Sequence, residues 1–378
     1  MSKINARSPY YISYSNANLV SVDLELYVYT GTQTTDRANK FTLTSSAVDQ
    51  TATFEISEIV RDYLLHTFDG DYATEVVWVD YRHKVTLTNV SGSFSSFFQI
   101  TGFDGYGFFE DGAQYVQYVT PFTSATASST LNNTGLLQSN TTIVKLDDAP
   151  ATIPVDTSLT TQVTYELNGT QVYTKAISSS SVSTTQIEYV TNGVNGSDEF
   201  EDRVIQDNGT FEGSSCLDDF SKEYTLFDFD TIYVDTTSGV TKLTVKNETE
   251  CKFTPYKITF VNKFGSLQDI WFFKRSNETL TTKQEKFKRN IVVSGNYDIS
   301  RHQDKTLTKN GNETLTLNTG YYPEAYNDVF KQMQLSEDCW IEINSQTLPI
   351  QIKSSSFAYK TQLNDKIINY TIEIEFAF

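Results

Sequence analysis

The sequence predicts an all-β fold (mainly β): multiple antiparallel β-sandwich domains with a few short helices. Three observations predict it. The chain has 25 Phe and 23 Tyr against 2 Met, and aromatic and β-branched side chains suit pleated, half-buried surfaces. Apolar and polar residues alternate with period two over long stretches. Asn-Gly pairs punctuate those stretches as tight hairpins require. At 378 residues the chain is long for one core. Three β-rich domains are therefore expected, over residues 1–120, 121–250 and 251–378.

Near the start of the chain, Val22, Leu24, Leu26 and Val28 alternate with Asp23, Glu25, Tyr27 and Tyr29, which predicts a strand with one buried face. In "ISEIVRDYLLHTF", Ser57 is placed to cap a short helix that turns Ile59, Val60, Tyr63 and Leu64 inward. Trp78 in "EVVWVDY" is expected in a core strand. Residues 121–142 are small and polar, as in a linker or long surface loop. "VTYELNGTQVYTKAI" predicts a hairpin turning at Asn168-Gly169, and "LTKNGNETLTL" predicts another at Asn310-Gly311.

A second helix is expected in "YYPEAYNDVFKQMQL", with Pro323 near its first turn and Tyr326, Val329, Phe330 and Met333 facing the core. Trp340 in "DCWIEI" belongs to another core strand, while Trp271 in "DIWFFKR" is not placed by alternation. The run "INYTIEIEFAF" puts Ile368, Tyr370, Ile372, Ile374, Phe376 and Phe378 on one face. That pattern ties the end of the chain into a sheet.

One phrase occurs twice. "SPYYISYSNANLVSVDLEL" starts at Ser8, and "TPYKITFVNKFGSLQDIWF" starts at Thr254. At one constant offset Pro9 matches Pro255, Tyr10 matches Tyr256, Ile12 matches Ile258 and Asn16 matches Asn262. The later order strand, helix, Trp strand also agrees. The first and last domains are therefore expected to be duplicates, with Pro9, Tyr10 and Ile12 superposing on Pro255, Tyr256 and Ile258.

Chemistry is sparse. A net charge of −18 gives no electrostatic footprint for nucleic acid or an anionic membrane. The densest basic run, "KQEKFKR" (Lys283–Arg289), is read as a solvated loop. Cys216, Cys251 and Cys339 make neither a disulfide framework nor a metal knuckle, and reduced thiols are expected. The start "MSKINARSPYY" has no secretory h-region, and no run reaches membrane-spanning length. The ten N-x-[ST] sequons then reflect composition more than glycosylation.

His66, His83 and His302 lack metal or catalytic spacing and are expected at the surface or at helix ends. Asp69, Asp71, Glu110 and Asp111 could meet around an ion, and Asp228 and Asp230 share a strand face. None has the spacing of a calcium loop. "GFDGYGFFEDG" (Gly102–Gly112) has the wrong spacing for a phosphate loop and is read as an aromatic loop. No catalytic, cofactor-binding or metal-binding residues are therefore assigned, and a non-enzymatic protein without cofactor is expected.

The blocks "INARSPYYI", "CKFTPYKITFVNKFGSLQDIWFFKRS" and "SSSFAYKTQLNDKIINYTIEIEFAF" resemble virion structural proteins of tailed bacteriophages, of the kind that infect aquatic or Bacteroidetes-type hosts. The resemblance covers both ends of the chain and carries no catalytic motif. It implies a virion component, assembled in the bacterial host cytoplasm, with other virion structural proteins as partners and a homo-oligomeric ring or trimer as its state. A tail or baseplate connector is the leading expectation. A capsid-decorating, neck or head-fibre protein is the first alternative. A tail protein binding a host-surface glycan through the middle domain's loops is the second.

Overall fold

The computed structural model describes residues 2–32, 37–74, 77–107, 118–119, 135–147, 149–177, 187–191, 229–290, 292–293, 295–297, 300, 302–344, 346–353 and 367–377. The fold is all-β and multi-sheeted, with helices only at Ser57–Arg61 (α1) and Asn327–Leu335 (α2) plus one 3₁₀ turn, Glu324–Tyr326, among the described residues. Three separate hydrophobic cores organise it.

The first core lies between two sheets. The larger runs in the order Ser2–Asn5, Phe98–Phe103, Val77–Leu87, Leu19–Thr30, Lys40–Ser46, and Val90–Phe94 also pairs with Val77–Leu87. The smaller holds Thr51–Glu55, Tyr11–Ser15 and Tyr118–Val119. Val22, Leu24, Leu26 and Val28 are fully buried, as alternation predicts, and meet Ile12 and Phe54 of the smaller sheet. Two residues on the other face of the same strand, Glu25 and Tyr29, are buried too. Glu25 pairs with Lys40 and Arg82. Burial alone would raise its pKa, but the two cations outweigh burial and hold it below the usual carboxylate range.

The middle core lies under a five-stranded sheet, Thr142–Leu146, Gly239–Glu248, Thr231–Thr236, Thr160–Leu167 and Thr170–Ala176. A two-stranded sheet, Thr152–Asp156 with Ile187–Thr191, contributes Ile153, Val155 and Val190 to it. Asn168 (φ 51°) and Gly169 (φ 77°) turn the Thr160–Leu167/Thr170–Ala176 hairpin, as the Asn-Gly signal predicts.

In the last region seven strands form one sheet: Leu267–Phe272, Tyr256–Val261, Cys339–Ile343, Gln346–Ile352, Thr371–Phe376, Asp304–Asn318 and Lys274–Lys288. Helix α2 packs on it. Val329, Phe330 and Met333 point into the core as expected, and the Phe330 ring touches Tyr322 and Tyr370 at centroid distances of 5.6 and 4.6 Å. Ile368, Tyr370, Ile372 and Ile374 are buried together and Phe376 packs partly buried against them, as predicted. The run is two strands, however: Ile367–Ile368 pairs with Tyr322–Pro323, and only Thr371–Phe376 joins the seven-stranded sheet, while Phe378 lies outside the described residues.

Several expectations are corrected. The sheets are not purely antiparallel: Ser2–Asn5, Thr142–Leu146 and Tyr118–Val119 each join their neighbour in parallel. A strand arriving from a distant stretch of chain can add to a sheet edge in either direction, because no tight turn dictates it. Ser57 does not cap α1. Ile56 stands at the cap, and the Ser57 N–H and hydroxyl both turn back to donate to Glu55 Oε1. Asn310-Gly311 does not turn. Both lie mid-strand, opposite Lys283 and Thr282, and a Cβ on Gly311 would meet Leu280 Cδ1 at 3.1 Å. The chain reverses between Lys288 and Asp304 instead, so "KQEKFKR" is largely exposed strand and not loop.

The repeated phrase begins a strand in both places and ends each in the same local device. Asn16 Oδ1 accepts from Asn18 N, and Asn262 Oδ1 accepts from Phe264 N. The pairings then differ. Tyr11–Ser15 pairs with Thr51–Glu55, while Leu19–Thr30 crosses to the other sheet. In the last region Asn262 N donates to Ser266 O, which folds Leu267–Phe272 straight back on Tyr256–Val261. The repeat is thus one of strand and turn, and the strand order around it is not repeated.

Removal of the Phe330 ring should cost about 3–5 kcal/mol, the usual range for a buried aromatic. Urea unfolding of Phe330→Ala checks this, and an unchanged midpoint would show that α2 does not hold the last core.

Candidate functional site

The three β-rich regions meet at one junction, built around the turn from Asn262 to Ser266. Its hydrophobic part takes Phe68 and Phe103 from the first region, Leu137, Ile187 and Tyr189 from the middle, and Val261, Phe264, Leu267 and Trp340 from the last. Trp340 therefore packs between regions, edge-on to Phe68 at 5.8 Å, whereas Trp78 is fully buried within the first. Trp271 is half-buried and stacks on Phe273.

The polar part of the junction centres on the Asn262 side chain. Asn262 is completely buried. Its Nδ2 donates to Leu137 O (2.8 Å) and Gln268 Oε1 (3.0 Å), and its Oδ1 accepts from Phe264 N, Ser266 N and the Ser266 hydroxyl. The single Ser266 hydroxyl proton is shared between Asn262 Oδ1 and Leu137 O, and Gln268 Nε2 donates to Asn140 Oδ1. Tyr189 accepts Leu267 N at 2.9 Å, and Tyr72 donates to Asp269 at 2.5 Å. Burial first, then the nearby Asp269 carboxylate, pushes the Tyr72 hydroxyl well above its usual pKa. Burial pushes Tyr189 up to about 12.

Two glycines let the backbones cross here. Gly265 takes φ +76°, and a Cβ on it would lie 2.7 Å from Asp104 N. A Cβ on Gly105 would lie 2.8 Å from Lys263 O. The gap closes with Tyr106 N donating to Lys263 O at 2.9 Å. The piece "GFDGYG" is therefore a docking strand end, a role its spacing did not reveal.

Around this crossing lie the charged groups. His66 Nε2 stands 3.2 Å from Asp104 Oδ2, both side chains buried, although the two are not aligned for a hydrogen bond. The accompanying cavity is lined by Tyr63, His66, Thr74, Phe103 and Asp104 among others, with about 10 Å³ of space for the centre of a water molecule. That is room for about one ordered water and not for an organic substrate. At the rim Arg7 donates to Leu335 O at 2.6 Å, and Arg61 pairs with Glu337. Arg61 holds Glu337 below its usual pKa. That pair is exposed, so its contribution is small.

The remaining residues singled out by sequence are scattered. His83 is buried, in contrast to the expected surface position. It lies between Tyr14 and Phe98 with Nδ1 3.1 Å from the Ser95 hydroxyl, and burial lowers its pKa to about 4. His302 is exposed. Asp69 Oδ1 accepts Asp71 N in a local turn, while Glu110, Asp111 and Asp228 lie outside the described residues. Among the described residues no three His, Cys, Asp or Glu groups gather as for a metal ion, and no helix is long and apolar enough to cross a membrane. Cys339 is free and buried, and burial pushes its thiol up to about 12. Cys251 is disulfide-bonded, which corrects the expectation of reduced thiols throughout. Cys216 lies outside the described residues.

Two outcomes test these assignments. Asn262→Ala strips five hydrogen bonds from a buried site and should cost about 3 kcal/mol or more in denaturant unfolding; a loss below about 1 kcal/mol would remove it from the centre of the junction. His83 binds a proton more weakly folded than unfolded, so stability should fall as pH drops from about 6.5 to about 4. His83→Gln should flatten that slope in thermal melts across the same window, and an unaltered slope would assign it elsewhere.

No family model matches the chain, and no curated protein matches it.

Proposed function

We propose that this protein is a non-enzymatic structural component of a tailed-phage virion, a tail or baseplate connector that assembles through its β-rich domains. The observation that carries the reading is the junction at Asn262. Three β-rich regions share one buried, hydrogen-bonded core there, so the body transmits position as a rigid spacer instead of opening around a ligand. Buried polar networks of this kind rigidify what they join. The likeness of the two chain ends to virion proteins supplies the setting, and open sheet edges supply surfaces for pairing with neighbours.

Gold-labelled antibody against the full chain, applied to purified tailed particles, tests it. Label at the tail end or baseplate is the expected outcome. Label confined to the head would replace the connector with a decoration protein. Absence of the chain from purified particles, or release of reducing sugar from host polysaccharide by the pure protein, would reject the structural role.

A further inference from the structure

The last region carries a feature that its own core does not use. Strands Lys274–Lys288 and Asp304–Asn318 pair along their whole length, but Thr371–Phe376 joins the second only over Thr314–Asn318. Beyond Thr314 the two strands leave the sheet as a free ribbon. Ten residues, Asp304 to Glu313, give it a reach of about 33 Å. Every residue of that stretch is exposed, and so is the facing run from Leu280 to Lys288. Leu280, Phe287 and Leu307 stand out into solvent, 61%, 43% and 66% exposed. A two-stranded ribbon with neither face covered is marginal in water. Its outer edges also present backbone groups that no described strand takes up.

Charge says what covers it. The two strands hold seven of the chain's 29 Lys and Arg but only four of its 47 Asp and Glu. A basic arm therefore projects from a strongly acidic body. Lys283, Lys286, Lys288, Lys305 and Lys309 lie on the free part, against the three carboxylates Glu285, Asp304 and Glu313. Two such ribbons laid together would repel each other. Nucleic acid is disfavoured as an occupant because the body's negative charge repels it. Lysines alone on an edge could serve only to block pairing, but a blocking role does not require an arm of this length or three apolar side chains along it.

We propose that the ribbon docks on the acidic body of a second copy of this chain, in a head-to-tail contact. Such a contact joins two different surfaces, so it propagates into a ring if the rotation closes and into a filament if it does not. This copy-to-copy contact rests on the assembly role proposed above and names its partner; it is read on the purified protein, independently of where the chain sits in a particle.

The experiment uses the full chain, a charge-reversed variant (Lys283→Glu, Lys286→Glu, Lys288→Glu) and a variant in which residues 280–313 are replaced by an Asn-Gly turn. Circular dichroism and melting confirm that each folds, since the ribbon adds nothing to the described cores. Sedimentation at about 50 mM salt should show the wild type as oligomers and both variants as monomers. Raising salt to about 500 mM should weaken wild-type association roughly tenfold or more. The ribbonless variant still offers an acidic body, so mixed with wild type it should cap assemblies and shift them to smaller species. A wild type that stays monomeric at both salts overturns the proposal. So does a ribbonless variant that leaves wild-type assemblies unchanged, which would mean ribbon-to-ribbon contact. Stable binding of a duplex DNA by the ribbon, with no self-association, would overturn it in favour of nucleic acid.

Discussion

The buried side-chain amide of Asn262 is the constraint on which the rest of the body depends. Deep burial of an amide is costly unless all its hydrogen-bonding capacity is used. Here both ends are used: the nitrogen reaches into the middle region at Leu137 O, and the oxygen closes the turn to Ser266. A single side chain thereby holds a turn of the last region against a loop of the middle one. The first region then packs onto the outside of the same turn through Asp104, Gly105 and Tyr106. Phe68, Tyr189 and Trp340 fill the space left between the three. Other contacts reinforce the same orientation: Tyr326 accepts from Val144 N, Gln332 donates to Ser139, Thr74 meets the Tyr189 hydroxyl, and Arg61 pairs with Glu337.

This arrangement also accounts for how the regions differ despite a shared phrase. Proline, two aromatic or apolar residues and an asparagine turn form a local program for a strand that stops. The path of the chain beyond that stop is decided by the partners the next strand can reach. Near Asn16 the partner is Thr51–Glu55, so the following strand is free to enter the other sheet. Near Asn262 the turn closes tightly on itself, and the following strand becomes a hairpin partner. Local hydrogen bonding repeats, while the non-local pairing diverges.

Within the fold, much was legible because it depends on period and volume alone. The inward faces of Val22 to Val28 and of Ile368 to Ile374, the inner face of α2 and the Asn168-Gly169 turn all follow from alternation or from the backbone angles a residue tolerates. Asn310-Gly311 misled for the same reason. A turn signal only competes with its surroundings, and Thr-rich β-forming runs on both sides won by pairing through it. The junction was scarcely legible. Asn262, Gln268 and Ser266 look like ordinary polar residues, and His66 and Asp104 lie far apart in the chain. Gly105 lies within "GFDGYG", whose spacing reads as a loop, and Gly265 serves its own turn through its positive φ, so neither glycine marks the crossing on its own.

The sequence by itself determined the class of structure: strands from period-two patterns, the few helices from their 3.6-residue spacing, and an acidic chain without a catalytic signature. Tertiary structure alone decided which strands pair, where the regions touch, which polar residues are buried and that one hairpin outgrows its sheet. The physical reason is the range of the interactions. Backbone propensity and side-chain periodicity act over a few residues and can be read along the chain. Sheet register and the satisfaction of buried polar groups depend on residues brought together from a hundred or more positions away, as Asn262 and Leu137 are.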